Sequence, residues 1–211
     1  MVLGVASLIV VLAIMNGFAG ELRGRILSLV PHGFVEFKDG GITQWQDLST
    51  RISEQPGVVA VSPYITEKAI LGNGQTQRGA VLTAIDPQAE SGVSNLRGAM
   101  IAGDLDSLQG DGFNVVLGTT LADILRVVPG DYVQVTVPRL TVTPLGMFPR
   151  SKRLRVTGIF QIGAQPDAYQ AYISLTTGQK LLGSKGSVDG LQVKTRDLFT
   201  APDVMRALAA E

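Results

Sequence analysis

Gly33-Phe34-Val35-Glu36-Phe37, then Gln44-Trp45-Gln46-Asp47-Leu48-Ser49-Thr50-Arg51-Ile52-Ser53-Glu54, then Val58-Val59-Ala60-Val61-Ser62-Pro63-Tyr64-Ile65 is the stretch on which the fold turns. Its first segment alternates apolar and polar residues, the period of a strand. The second places Trp45, Leu48 and Ile52 on one helical face, with Thr43 positioned to cap it and Pro56-Gly57 beyond its end. The third is a β-branched run of strand length. Residues 33–66 therefore predict a β-α-β unit of short elements.

C-terminal to this unit the pattern becomes β-rich. Ala69-Ile70-Leu71 and Gly79 to Ile85 read as a hairpin around a two-residue Asn73-Gly74 turn, ending at Asp86-Pro87. A glycine-rich, irregular stretch is expected through Gly112. Strands follow at Asn114–Gly118, Tyr132–Val137, Lys152–Ile162, Ala171–Ile173 and Gly190–Lys194, with helices at Thr119–Leu125, Thr177–Leu182 and from Pro202 onward. The order is β-α-β, a β-rich insertion, then β-α. A second β-α-β would need a strand after Glu211, so the expectation is that this boundary precedes a further membrane segment.

N-terminal to the unit, Met1 to Met15 is apolar apart from Ser7 and carries no charge. A bilayer core needs roughly 20 apolar residues, so the run is short for a whole span. It lacks the leading basic residues and the small-residue cleavage site of a signal peptide. It reads as the outer half of a transmembrane helix, continued by Glu21 to Val30 as a stalk that Pro31 and Gly33 end. A buried core helix is the alternative.

Composition narrows the chemistry. The 211 residues have a net charge of zero, 17% charged residues, no cysteine and a single histidine. Nothing in that balance points to nucleic acid, and thiol chemistry, disulfides and multi-histidine metal centres are excluded. His32 lies in the turn Val30-Pro31-His32-Gly33. Asp104-Leu105-Asp106 opens like a calcium loop, but Leu108 and Gln109 occupy positions that need oxygen ligands and glycine. No phosphate-binding loop or nucleophile elbow occurs. No catalytic residue, metal or cofactor is assigned.

The segment from Pro138 to Lys152 stands out. A hairpin connection of about fifteen residues is long and commonly functional. Pro138, Pro144 and Pro149 stiffen it, and Leu145, Met147 and Phe148 sit near its tip. No acidic residue occurs between Tyr132 and Pro166, while Arg139, Arg150, Lys152, Arg153 and Arg155 do, giving a local charge of about +5. Apolar residues on a stiff, cationic projection suggest protein docking. A hairpin folded down over its own sheet and a membrane-touching loop are the other readings.

Val10 to Phe18 with Glu21-Leu22, Val116-Leu117-Gly118 through Leu121-Ala122, Pro129-Gly130-Asp131, Val137-Pro138, Thr143-Pro144-Leu145-Gly146, Pro149 and Val156-Thr157-Gly158-Ile159-Phe160 together resemble the permease subunits of lipoprotein-releasing ABC transporters, the LolC/LolE type. The resemblance covers nearly the whole chain. It implies an α+β fold: 1–18 as the outer part of the first transmembrane helix, 19–66 plus 186–211 as a porter-like subdomain, and 67–185 as an inserted β-rich, sabre-like subdomain with the protruding loop 138–152. It implies an inner-membrane protein of a Gram-negative bacterium, this region facing the periplasm, with a partner permease and ATP hydrolysis on a separate cytoplasmic subunit. The cargo would be an acylated lipoprotein, passed to a LolA-like periplasmic carrier. By position, the carrier-recruiting hook falls at Thr143, Pro144, Leu145, Gly146, Met147, Phe148 and Pro149. A supporting pad falls at Gln134, Ser151 and Lys152, and Arg150, Lys152 and Arg153 are expected to hold the carrier's rim. The family pad is more basic, and this loop is about one residue shorter before Pro144. A MacB-like efflux permease or FtsX-like regulator shares the domain plan. A secreted hydrolase or sugar-binding module is the rival from another class, with carboxylates from Asp86, Asp104 and Asp131.

Overall fold

The structure, a computed structural model, describes residues 9–15, 17, 31–36, 41–110, 112–143, 146–163, 165–184, 186–196 and 201–209. In chain order the elements from residue 33 onward are β1 (Gly33–Glu36), α1 (Trp45–Ser53), β2 (Val58–Gly72), β3 (Gln77–Ile85), α2 (Pro87–Val93), β4 (Met100–Gly103), β5 (Asn114–Gly118) and α3 (Thr119–Leu125). They continue as β6 (Tyr132–Thr143), β7 (Gly146–Phe160), β8 (Gln170–Ser174), α4 (Leu175–Leu182), β9 (Gly190–Thr195) and α5 (Ala201–Ala209). The α+β class is borne out.

Strand pairing explains how one sheet serves three cores. β9 lies between β1 and β2, antiparallel to both, so the two strands of the β-α-β unit are parallel but not adjacent. Further along, β2 pairs with β3, β3 with β8, β8 with β5, β5 with β7, β7 with β6, and β6 returns to β2. That circuit closes, which leaves these six strands no free edge between them. Inside it pack Leu71, Leu82, Val115, Leu117, Val133, Val135, Leu154, Val156 and Ile173, with Leu121 and Leu125 of α3 and Leu181 and Leu182 of α4. Each fully buried side chain of this kind contributes roughly 1.5–3 kcal/mol. A second cluster under α1 holds Ile52, Leu191 and Val193. A third lies outside the circuit around Ile85, Leu105, Leu108, Val116 and Phe160.

Several sequence expectations are corrected. β2 is one continuous strand of 15 residues, because alternate positions stay buried past Ile65 and join the β-α-β unit to the hairpin without a break. It runs through residue 66, where the two subdomains are expected to meet. Gly72 pairs with Gln77, so the connection holds four residues, not two. Asn73 organises it by accepting the backbone N–H groups of Gln75 and Thr76, each at 2.9 Å. The stretch after Asp86 is not irregular. Asp86 accepts the Gln88 N–H and Pro87 sits at the first helical position, the usual start of a helix, which forms α2. 3₁₀ turns at Arg97–Ala99 and Leu105–Leu108 flank β4. Thr43 does not cap α1. Its neighbour Ile42 is held in a bridge to Val188, and the cap position passes to Gln44, which makes no side-chain cap bond.

The expected long hairpin loop is also corrected. β6 and β7 pair from Tyr132↔Arg155 to Thr143↔Gly146, so most of 138–152 is a two-stranded ribbon with Pro144 and Leu145 between its strands. β7 runs from Gly146 to Phe160 rather than from Lys152 to Ile162. Residues 9–15 are helical, with Ile9, Val10, Val11, Leu12, Ile14 and Met15 exposed. Among the described residues no helix is long and apolar enough to cross a membrane. The stalk expected at Glu21 to Val30 lies outside the described residues.

Candidate functional site

The ribbon begins as part of the closed circuit and leaves it at Pro138. Val133, Val135 and Val137 are fully buried, because alternate side chains of a strand share a face and these point into the core. Gln134 and Thr136 point outward. β2 pairs with β6 only from Ile70↔Thr136 to Gly72↔Gln134. Two residues later Pro138 has no N–H to offer a ladder, and the β6–β7 register shifts between Val137 and Leu140. From Leu140 to Pro149 the described pairing is between β6 and β7 alone.

The strand period of two divides the expected site between opposite faces. Cross-strand partners share a face. Ser151 pairs with Thr136 and Arg153 with Gln134 on the outer face, whereas Lys152 pairs with Val135 and Arg150 with Val137 on the inner one. On the outer face Gln134 Nε2 donates to Ser151 Oγ at 2.8 Å, and the hydroxyls of Thr136 and Ser151 lie 3.0 Å apart. The Arg153 guanidinium stacks over Tyr132, 4.4 Å from the ring centroid. Such a contact contributes about 0.5–1 kcal/mol at an exposed site. On the inner face Lys152 Nζ lies 4.4 Å from the centroid of Phe113. Arg150 Nη1 donates to the Leu181 carbonyl at 3.4 Å. Phe113, Arg150, Lys152, Lys180 and Leu181 line a cavity of about 310 Å³ there.

The cationic character is therefore less uniform than the sequence implies. Arg139 Nε donates to Glu67 Oε2 at 2.6 Å, bringing an acid to a segment that has none of its own. Glu67, Phe113 and Lys180 belong to this region through tertiary contact, and no local pattern signals them. Thr143, Gly146, Met147, Phe148 and Pro149 lie on the paired strands. Pro144 and Leu145 fall outside the described residues, as do the side chains of Met147 and Phe148.

The carboxylates named for a hydrolase serve separate turns. Asp86 caps α2, Asp104 accepts Asp106 N–H at 2.9 Å, and Asp131 accepts Val128 N–H at 2.9 Å. His32 Nδ1 lies 2.9 Å from the Thr195 hydroxyl, tying the start of β1 to β9.

Residues 1–211 match the family described as the MacB-like periplasmic core domain. The chain belongs to that family. This MacB-like domain is similar to the lipoprotein-releasing system transmembrane protein LolC of Neisseria meningitidis serogroup B, 34% identical over 99% of this chain and 51% of that one. It is 36% identical to LolC of Xylella fastidiosa strain 9a5c over 98% of this chain and 50% of that one. LolE of Haemophilus influenzae is 29% identical over 94% and 49% respectively. The chain thus spans about half the length of the curated relatives it matches. Among solved structures, the MacB-like domain is similar to the extracellular domain of the noncanonic ABC-type transporter YknZ from Gram-positive bacteria, with a TM-score of 0.56, 15% identity and coverage of 82% of this chain and 85% of that one. The periplasmic region of MacB from Actinobacillus actinomycetemcomitans gives a TM-score of 0.53 at 19% identity, over 81% and 72%. At these identities the likeness is one of fold.

Proposed function

We propose that this MacB-like domain is the periplasmic part of an inner-membrane ABC transporter permease that releases outer-membrane lipoproteins, and that its β6–β7 ribbon is a hook recruiting a LolA-like carrier. The observation that carries the reading is the ribbon itself. Beyond Pro138 its two strands pair with each other, and its hairpin end carries Thr143-Pro144-Leu145-Gly146. The similarity to LolC and LolE supports the cargo class. In this reading Thr143 to Pro149 grip the carrier. Gln134, Ser151 and Arg153 support it from the outer face, and Arg150 and Lys152 steer it from the inner one. Charges arranged this way raise association rates more than final affinity.

The domain performs no chemistry in this scheme, and ATP is hydrolysed on a cytoplasmic partner. Residues 19–66 with 186–211 act as the porter-like base, and 67–185 as the sabre-like arm. The continuous β2 favours transmission of movement between them as a rigid rod. Residues 1–18 would link the base to the bilayer.

The test is carrier capture by the purified chain, comparing wild type with Leu145→Glu and Pro144→Ala. Loss of capture with Leu145→Glu at unchanged thermal stability is expected. Equal capture by all three removes the hook. The fold shared with MacB and YknZ favours a second reading, an efflux or FtsX-like mechanotransmitting permease domain, in which wild type captures no lipoprotein carrier at all.

A further inference from the structure

A second cavity lies away from the ribbon, at an unusual place in the sheet. β3 and β8 are adjacent and parallel, and Ile85 pairs with Ser174 at their carboxyl ends. The helices that follow leave to opposite faces. On one face, Glu90 of α2 takes the Ser62 hydroxyl of β2 at 3.3 Å, and a methyl at Gly92 would lie 3.0 Å from Ala60. On the other, Gly178 of α4 is seated against Ala84, whose neighbours belong to the closed core. Two parallel strands whose helices diverge leave a crevice at their carboxyl ends, the recurrent position of ligand sites in such sheets. The crevice here measures about 390 Å³, within the roughly 300–1,000 Å³ of ligand pockets.

Its lining selects a class of ligand. Four carboxamides reach it from four separate elements: Gln46 of α1, Gln88 of α2, Gln109 after the second 3₁₀ turn, and Gln179 of α4. Gln109 donates to Asp106 and Gln179 to the Ser187 carbonyl, which leaves their oxygens as acceptors. Among the described residues no lysine or arginine lines the crevice, and the one carboxylate that does, Asp86, is already engaged by Gln88 N–H. Leu175, half-buried, is its apolar border, while Ile85 and Leu108 are fully buried and present it no surface. Trp45 borders it but packs against two core clusters and is no open stacking platform for a sugar ring. Its buried Nε1 donor makes no hydrogen bond among the described residues.

We propose that this crevice binds an extended, uncharged polypeptide segment, whose backbone amides pair with the glutamine carboxamides while a small apolar side chain sits against Leu175. A primary amide carries the same donor and acceptor pair as a peptide group, so glutamines spaced around a cleft complement a main chain without reading its sequence. The site stands independently of the ribbon, and failure of carrier capture leaves it untouched.

Trp45 is the only tryptophan in the chain, so its emission reports occupancy. The full 211-residue chain is titrated with an N-acetylated, C-amidated hexapeptide of serine, asparagine, glycine and alanine, then with maltotriose, then with an all-glutamate hexapeptide. A saturable emission change with the neutral peptide alone is expected, weakened about tenfold or more in Gln88→Leu/Gln179→Leu, since each lost buried hydrogen bond costs roughly 0.5–1.5 kcal/mol. Amide chemical shifts at Gly110 and Gly186 should move with the same midpoint, and unchanged shifts elsewhere establish that the double variant is folded. No response to the neutral peptide, an equal response in the variant, or a response to the sugar or the acidic peptide in its place overturns the proposal.

Discussion

Arg139 and Glu67, 72 residues apart in sequence, meet at 2.6 Å where β6 parts from β2. Backbone pairing between those strands has ended at Thr136 and Ile70, so a side-chain ion pair continues the attachment that Pro138 interrupts. Arg139 is about half exposed, which limits the contribution to below about 1 kcal/mol. Glu67→Gln should therefore lower the thermal midpoint by at most about 2–4 °C. Hydrogen exchange should quicken at residues 140–149 and stay unchanged at 133–136. Uniform exchange along the whole ribbon would show that the pair does not anchor it.

Because Arg153 and Lys152 face opposite ways, their charge reversals should differ. Arg153→Glu places an acid beside Gln134 and Ser151 on the open outer face. It is expected to slow association with a captured carrier by about tenfold, with dissociation little altered. Lys152 is exposed as well, but its ammonium lies over the Phe113 ring, and Lys152→Glu should slow it by less than about threefold. Stopped-flow association kinetics at two salt concentrations measures both.

Glu90 is almost completely buried, with the Ser94 hydroxyl at 2.7 Å and the Ser62 hydroxyl at 3.3 Å and, among the described residues, no basic partner in an ion pair. Burial pushes its carboxyl above the ordinary 4.5, and the two hydroxyls offset only part of that. The folded state thus holds the proton more tightly than the unfolded one. The resulting stability is fully present below the ordinary carboxylate range and is lost as pH rises through the raised value. Glu90→Gln keeps an acceptor for both serines and carries no charge. It should stabilise the protein above neutrality by on the order of 1–3 kcal/mol and flatten the pH dependence. Urea midpoints between pH 5 and 8.5 for both proteins decide this, and parallel curves would refute it.

α4 sits closely on the closed core. A methyl at Gly178 would fall on Ala84 Cβ. Gly178→Val forces the helix outward and should cost at least about 1–3 kcal/mol, read as a lower denaturation midpoint. Gly74→Ala provides the contrast. No atom stands near its missing Cβ, and the left-handed φ of +94° alone penalises the change.

Tyr64 links the two halves of the pairing order. Its hydroxyl lies 3.4 Å from Glu36, and burial, then the charge of Glu36, pushes it up to about 12. Glu36→Gln should bring that titration down toward the ordinary tyrosine range, visible as phenolate absorbance appearing at lower pH.

Local pattern was enough to place most elements. Alternation marked β1, β6 and the core of β7, helical spacing marked α1 and α3, and the Asp86-Pro87 pair carried the signal for α2 that periodicity alone missed in a helix of seven residues. The ribbon was visible as a segment, but its long strands were masked by three prolines, because pairing depends on the partner strand rather than on intrinsic preference. The crevice at Gln88 and Gln179 was not legible at all, since its lining comes from six elements, α1, β3, α2, the second 3₁₀ turn, β8 and α4, that only the tertiary fold brings together.

What the sequence by itself determined is the order and type of elements and the reserve of apolar residues for a core, because these follow from spacing along one chain. Tertiary structure decided that β9 separates β1 from β2, that six strands close into a circuit, and that the cations around residue 150 divide between two faces. Register and closure arise from pairing between distant segments. A strand's residues alternate sides only once a neighbour has fixed which side is in.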